Sequence, residues 1–154
     1  MQKTYRVLAY LIAAAVVVQA AAIAFAMFGL GAWVDDGGVL DKAAVESESV
    51  EFDGVVGFMI HGMNGMMVIP LLGLILLVVS FFAKIPGGVR LAGAILGLIV
   101  IQVALGVLGH EMPFLGVLHG INALLLMGAA ITAGQRAKVA SEAPQPAMSA
   151  PRPS

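Results

Sequence analysis

Polar residues along this chain are gathered into a few short intervals, and four long apolar runs lie between them. The runs cover about 7–34, 55–83, 89–109 and 114–135. A helix rising 1.5 Å per residue needs about 20 apolar residues to cross about 30 Å of hydrocarbon, so each run predicts one membrane-crossing helix. The intervals carry chain-breaking residues: "DDGG" at 35–38, "KIPGG" at 84–88 and "EMP" at 111–113. The expected fold is therefore all-α: an antiparallel up-down four-helix transmembrane bundle over residues 1–138, with an acidic outer loop at 35–54. The remaining 139–154, rich in proline, alanine and serine, are expected to be a disordered cytoplasmic tail.

Composition agrees with the pattern. Hydrophobic residues make up 60% of the 154, charged residues 11%, and the mean hydropathy is +1.01. A soluble domain needs far more polar surface, and the lipid bilayer becomes the expected surrounding. The net charge of −1 offers no basic field for nucleic acid. There is no cysteine, which removes disulfides, thiolate metal sites, iron–sulfur clusters and covalent haem attachment.

Charge position adds orientation. Lys3, Arg6, Lys84, Arg90, Arg136, Lys138 and Arg152 fall on one side of the four-span arrangement, and only Lys42 on the other. Eight of the nine acids, Glu142 excepted, lie on the Lys42 side. The positive-inside rule then places both termini in the cytoplasm, as expected of a multi-pass protein of a bacterial plasma membrane. The first apolar run is about twice a signal-peptide core and reads as a retained helix.

The chain also repeats itself. "YRVLAYLIAAAVVVQ" (5–19) lies over "VRLAGAILGLIVIQ" (89–102), ending on Gln19 and Gln102, and "HGMNG" (61–65) matches "HGINA" (119–123). Histidine and asparagine are both disfavoured in lipid, so a repeated His-x-x-Asn is the informative part. The first two spans thus read as one copy of a helical hairpin and the last two as another. Both histidines fall six or seven residues into helices that run from outside to inside, about 10 Å deep. In an up-down bundle those two helices are diagonal partners, and His61 and His119 can face one central object.

At 100° per residue, Gly57, Asn64, Gly65, Val68 and Leu72 share the His61 face, and Leu115, Gly116, Asn122, Ala123 and Leu126 share the His119 face. Met59, Met63 and Met66 fall opposite, with Met67 on the flank. Three readings arise. The polar pairs hold the bundle together by interhelical hydrogen bonds. Or they serve a b-type haem, with His61 and His119 as axial ligands and Asn64, Asn122, Gly65 and Ala123 around it. Or the methionines and histidines bind copper, against which the helical wheel argues. His110, beside the outer turn, is either a solvated loop histidine or a group at the mouth of the site, facing a propionate or quinone. Gln102 reads as an interhelical hydrogen bond, Gly93 and Gly97 as a helix-packing step, and Pro70 as a kink.

The segment "IQVALGVLGHEMPFLGVLHGINALLLMGAAI" (101–131) resembles the third and fourth helices of a half-repeat in the haem A synthase family. That family stacks two four-helix bundles, each with haem-ligand histidines on its second and fourth helices, which implies ligand roles for His61 and His119. The chain differs in having one bundle and glycine, not arginine, after each histidine. The whole chain, through "LHGINALLL" (118–126), also resembles a family of small uncharacterised four-helix bacterial membrane proteins. The expectation carried forward is a non-enzymatic haem b protein for electron transfer or haem handling, with a membrane redox partner or quinone. The alternative is a non-catalytic structural or accessory membrane subunit.

Overall fold

A computed structural model describes residues 1–47, 50–109 and 111–142. Those residues form four long helices: helix 1 (Gln2–Asp35), helix 2 (Val56–Ala83), helix 3 (Gly88–Leu108) and helix 4 (Phe114–Glu142). All four are long and apolar enough to cross a membrane. No strand occurs among the described residues. Helix 4 runs past the expected boundary at 138 and stays helical to Glu142; the rest of the expected tail lies outside the described residues. The acidic loop is not wholly irregular. It contains a short helix, Lys42–Ser47, at whose start the Asp41 carboxylate accepts a hydrogen bond from the Ala44 amide at 2.7 Å.

The turns follow local chemistry. Lys84 closes helix 2 in the left-handed region (φ 51°), and Pro86, two residues on, cannot continue a helix. Gly87, at φ 70°, completes the reversal where a side chain would be strained.

Helix 1 packs against helices 2 and 4, and helix 3 packs against the same two. Helices 2 and 4 thus lie diagonally, as do 1 and 3. At the end carrying Lys3, Arg6, Lys84, Arg90 and Arg136, all four helices share one core. Tyr5, Ile12, Leu76, Ile95, Leu126 and Ala133 are fully or almost fully buried there. The Tyr5 hydroxyl donates to the Gly88 carbonyl at 3.1 Å, tying helix 1 to the start of helix 3. Small residues let these helices approach closely, as van der Waals packing requires where lipid removes any hydrophobic drive. A Cβ on Gly73 would stand 2.5 Å from Ile99 Cδ1.

Two expectations change. Gly93 and Gly97 were expected to pack helix 3 against a neighbour, but both are exposed and a Cβ at either would meet nothing within 4 Å. The packed face of helix 3 is Ala92, Ile95 and Ile99, and the glycines lie beside that stripe. In helix 2, the disturbance expected at Pro70 takes the form of a π-helical stretch, Asn64–Val68. There the Ile69 amide donates five residues back, to the Asn64 carbonyl. Proline lacks an amide proton, and its ring crowds the carbonyl four residues earlier. The wider π turn lies immediately ahead of Pro70 and inserts one residue into the helical count. The inward face therefore shifts by one position. Val68, expected inside, is 47% exposed, and Ile69 is 5% exposed. Gly73 and Leu76 continue the new stripe.

Candidate functional site

The half of the bundle away from the basic end is built from two hydrogen-bond sets with one pattern. In the first hairpin, His61 Nδ1 lies 3.1 Å from the Gln19 carbonyl. Asn64 Nδ2 donates to the Ala15 carbonyl at 2.9 Å and to Gln19 Oε1 at 3.1 Å. In the second, His119 Nδ1 lies 3.1 Å from the Gln102 carbonyl. Asn122 Nδ2 donates to the Leu98 carbonyl at 2.9 Å and to Gln102 Oε1 at 2.6 Å. In both sets the asparagine reaches the glutamine side chain and the carbonyl four residues before it. The glutamine backbone carbonyl holds the histidine. Each asparagine amide thus spends both protons inside its own hairpin.

The carbonyl partners settle the histidine tautomers. A carbonyl oxygen only accepts, so each Nδ1 carries the proton, and in the neutral imidazole Nε2 keeps the lone pair. This is the arrangement of a ligand imidazole, whose other nitrogen is held by a carbonyl or carboxylate. The two rings stand with centroids 6.3 Å apart and planes at 45°. They come from diagonal helices and meet across the interior at one level.

Space lies on both sides of this pair. A cavity of about 440 Å³ reaches from the imidazoles towards helices 1 and 4. Its floor is the buried Ile69, Ile99 and Leu126, and its mouth is formed by Val17, Ala20, Gly120 and Leu124. A second cavity, about 230 Å³, lies on the side of helices 2 and 3, bounded by Gly62, Met66, Gly106 and Val107. Gln19, His61, Gly65, Gln102, Val103 and His119 border both. The two spaces are therefore lobes of one slot, parted at the imidazoles. Apart from the histidines and glutamines its walls are apolar.

Of the residues expected here, His61 and His119 come together, and Gly65 and Ala123 line the slot. Asn64 and Asn122 are buried but border neither lobe; they pin helices to one another. His110 lies outside the described residues. Met59, Met63 and Met66, set opposite by the helical wheel, and Met67 on the flank are all more than half exposed, and Met66 also borders the smaller lobe. No group of three histidine, cysteine, aspartate or glutamate side chains suited to a metal ion occurs among the described residues.

Sequence reasoning found the interhelical hydrogen bond of Gln102 but not the matching one of Gln19; each glutamine bonds to both polar residues of its repeat. Their recurrence at the ends of matched segments was the available signal. It also missed Gly106, where a Cβ would come within 3.1 Å of His119 Cε1. Nothing in a glycine-rich apolar helix distinguishes that position. No family model, curated protein or solved structure matches the chain.

Proposed function

We propose that this chain is an antiparallel up-down membrane bundle made from a duplicated hairpin, and that it binds one b-type haem between His61 and His119. Electron transfer or haem handling in a bacterial plasma membrane is the role this implies, with both termini in the cytoplasm. Antiparallel pairing is supported by the partners of helix 2. As its numbering rises from Gly57 through Gly65, the adjoining helix 1 residues fall from Ala22 to Gln19. Duplication is supported by the matched hydrogen-bond sets.

The imidazole pair carries the haem reading. A metal–nitrogen bond of about 2 Å on each side, plus about 1 Å from ring nitrogen to ring centre, puts axial imidazoles about 6 Å apart. The 6.3 Å separation fits that span, and each imidazole is held through Nδ1, which leaves its Nε2 as the nitrogen that would bind a metal. Two protein ligands are too few for an ordinary zinc or copper centre. A porphyrin brings four nitrogens of its own and needs only an axial pair. The slot is apolar and extends to both sides of the pair, as a flat molecule requires. When bound, haem supplies one-electron redox chemistry. The protein's part is to hold both imidazoles in the ligand tautomer and to keep water from the ring faces.

A second reading has its own observation. Both asparagines spend their amide protons within their hairpins, which is what a purely structural role demands. Absorbance separates the two. Protein purified from cells supplied with haem and reduced with dithionite is expected to show sharp Soret and alpha bands, absent in His61→Ala and in His119→Ala. Colourless parent protein would overturn haem binding and leave the structural accessory reading.

A further inference from the structure

We propose that the slot opens sideways into the bilayer between helices 1 and 4, and that its planar ligand enters by that port. The ligand's identity rests on the haem reading, but the port rests on the walls alone. The two lobes differ in depth and in what closes them. The larger is floored by Ile69, Ile99 and Leu126, which are 5%, 2% and 1% exposed, so it penetrates to the bundle axis. Its mouth is Val17 and Leu124, at 57% and 66% exposed, with Ala20 and Gly120, also exposed, beside them. A Cβ on Gly120 would meet nothing within 4 Å.

The mouth contains no charged group, and it lies on two apolar membrane-crossing helices. In the four-span arrangement that level lies about 10 Å below the membrane surface, where the outside medium is acyl chain. What passes this mouth is therefore a molecule that partitions into lipid, a metalloporphyrin being one, and not a hydrated solute. The smaller lobe offers a poorer route. It holds about half the volume, and at Gly106, which borders this lobe alone, a Cβ would come within 3.1 Å of the His119 ring. In the hydrogen bonds among the described residues, His61, Asn64, His119 and Asn122 each pair within their own hairpin. Separation of helices 1 and 4 at the mouth breaks none of these.

The port can be tested with and without haem. The chain has no cysteine, so Ala123→Cys, on the wall of the larger lobe, takes a single small fluorophore. In vesicles of brominated-tail phosphatidylcholine the labelled apoprotein is expected to be quenched, and adding Gly120→Phe should remove most of the quenching. A label that is not quenched, or quenching indifferent to the phenylalanine, would overturn the port. Haem uptake from preloaded vesicles, followed at the Soret band, gives the second arm. Entry past Ala20→Phe or Gly120→Phe requires the helices to part, so uptake should slow about tenfold or more. Gly97→Phe, on an exposed face that borders neither lobe, should leave the rate near that of the parent, and Gly62→Phe, which crowds the smaller lobe, should slow it less than Gly120→Phe does. Slowing by Gly62→Phe that exceeds the slowing by Gly120→Phe would also overturn the proposal. Quenching that responds to Gly120→Phe in a protein that takes up no haem would leave the port standing and remove the cofactor.

Discussion

The two halves of the bundle, divided near the middle of its helices, are held together in different ways. In the basic-end half all four helices interlock, with Tyr5, Leu76 and Ile95 completely buried and the Tyr5 hydroxyl crossing from one hairpin to the other. In the opposite half, helices 1 and 2 stay packed, Gly57 leaving no room for a side chain against the Ala22 carbonyl. There the bonds of the His-x-x-Asn motifs are made within a hairpin, and space lies between hairpins. Helix 3 has no buried residue beyond Ile99, and helix 4 none before Asn122. The difference teaches a division of labour. One half holds the four-helix core, which leaves the other free to keep an open slot whose walls are braced within each hairpin.

That division can be broken most severely from the closed half. Leu76→Ala removes a fully buried side chain that borders neither lobe, and should cost about 2–5 kcal/mol. Thermal unfolding in detergent would show a large fall in midpoint, while the reduced haem spectrum of the folded fraction should be unchanged. A spectrum lost in parallel would mean that the halves are not separable.

The bracing is tested next. Asn64→Leu and Asn122→Leu each delete one equivalent pair of hydrogen bonds, at about 1 kcal/mol per variant. Their losses in unfolding free energy should be similar. A several-fold inequality would show that the two hairpins, alike in bonding pattern, are unlike in energy.

The smallest effect is expected at Gly65. A Cβ there would come within 2.6 Å of Gln19 Nε2, which is the far end of a flexible side chain. The second repeat already carries Ala123 at the matching position. Gly65→Ala should therefore shift stability by a few tenths of a kcal/mol. A much larger loss would place Gln19 under tighter restraint than its counterpart Gln102.

Much of the architecture was legible in the sequence, because bilayer thickness imposes a length on apolar runs that no local preference can hide. The lengths of 55–83 and 114–135 are of this kind, and so is the grouping of basic residues that ends with Tyr5, Gly88 and Arg136 near one another. The site was legible only where unusual residues marked it. His61, Asn64, His119 and Asn122 stand out in lipid, and their equal spacing put them at one depth. The wheel placed Gly65 correctly but failed at the next turn, since a period of 3.6 cannot register a π turn, and so Val68 was placed inside and Ile69 left out.

By itself, then, the sequence determined four membrane-length helices and a polar pair repeated at the same register in two of them. The tertiary structure decided what those pairs bond to and what lies between them. Each histidine is held by a backbone carbonyl, a group every residue possesses, so the repeated glutamines could be seen as partners of the asparagines but not of the histidines. The slot is set by how far two hairpins stand apart, a distance that depends on side chains from four helices at once. Periodicity reports which way one helix faces; only packing reports what it meets.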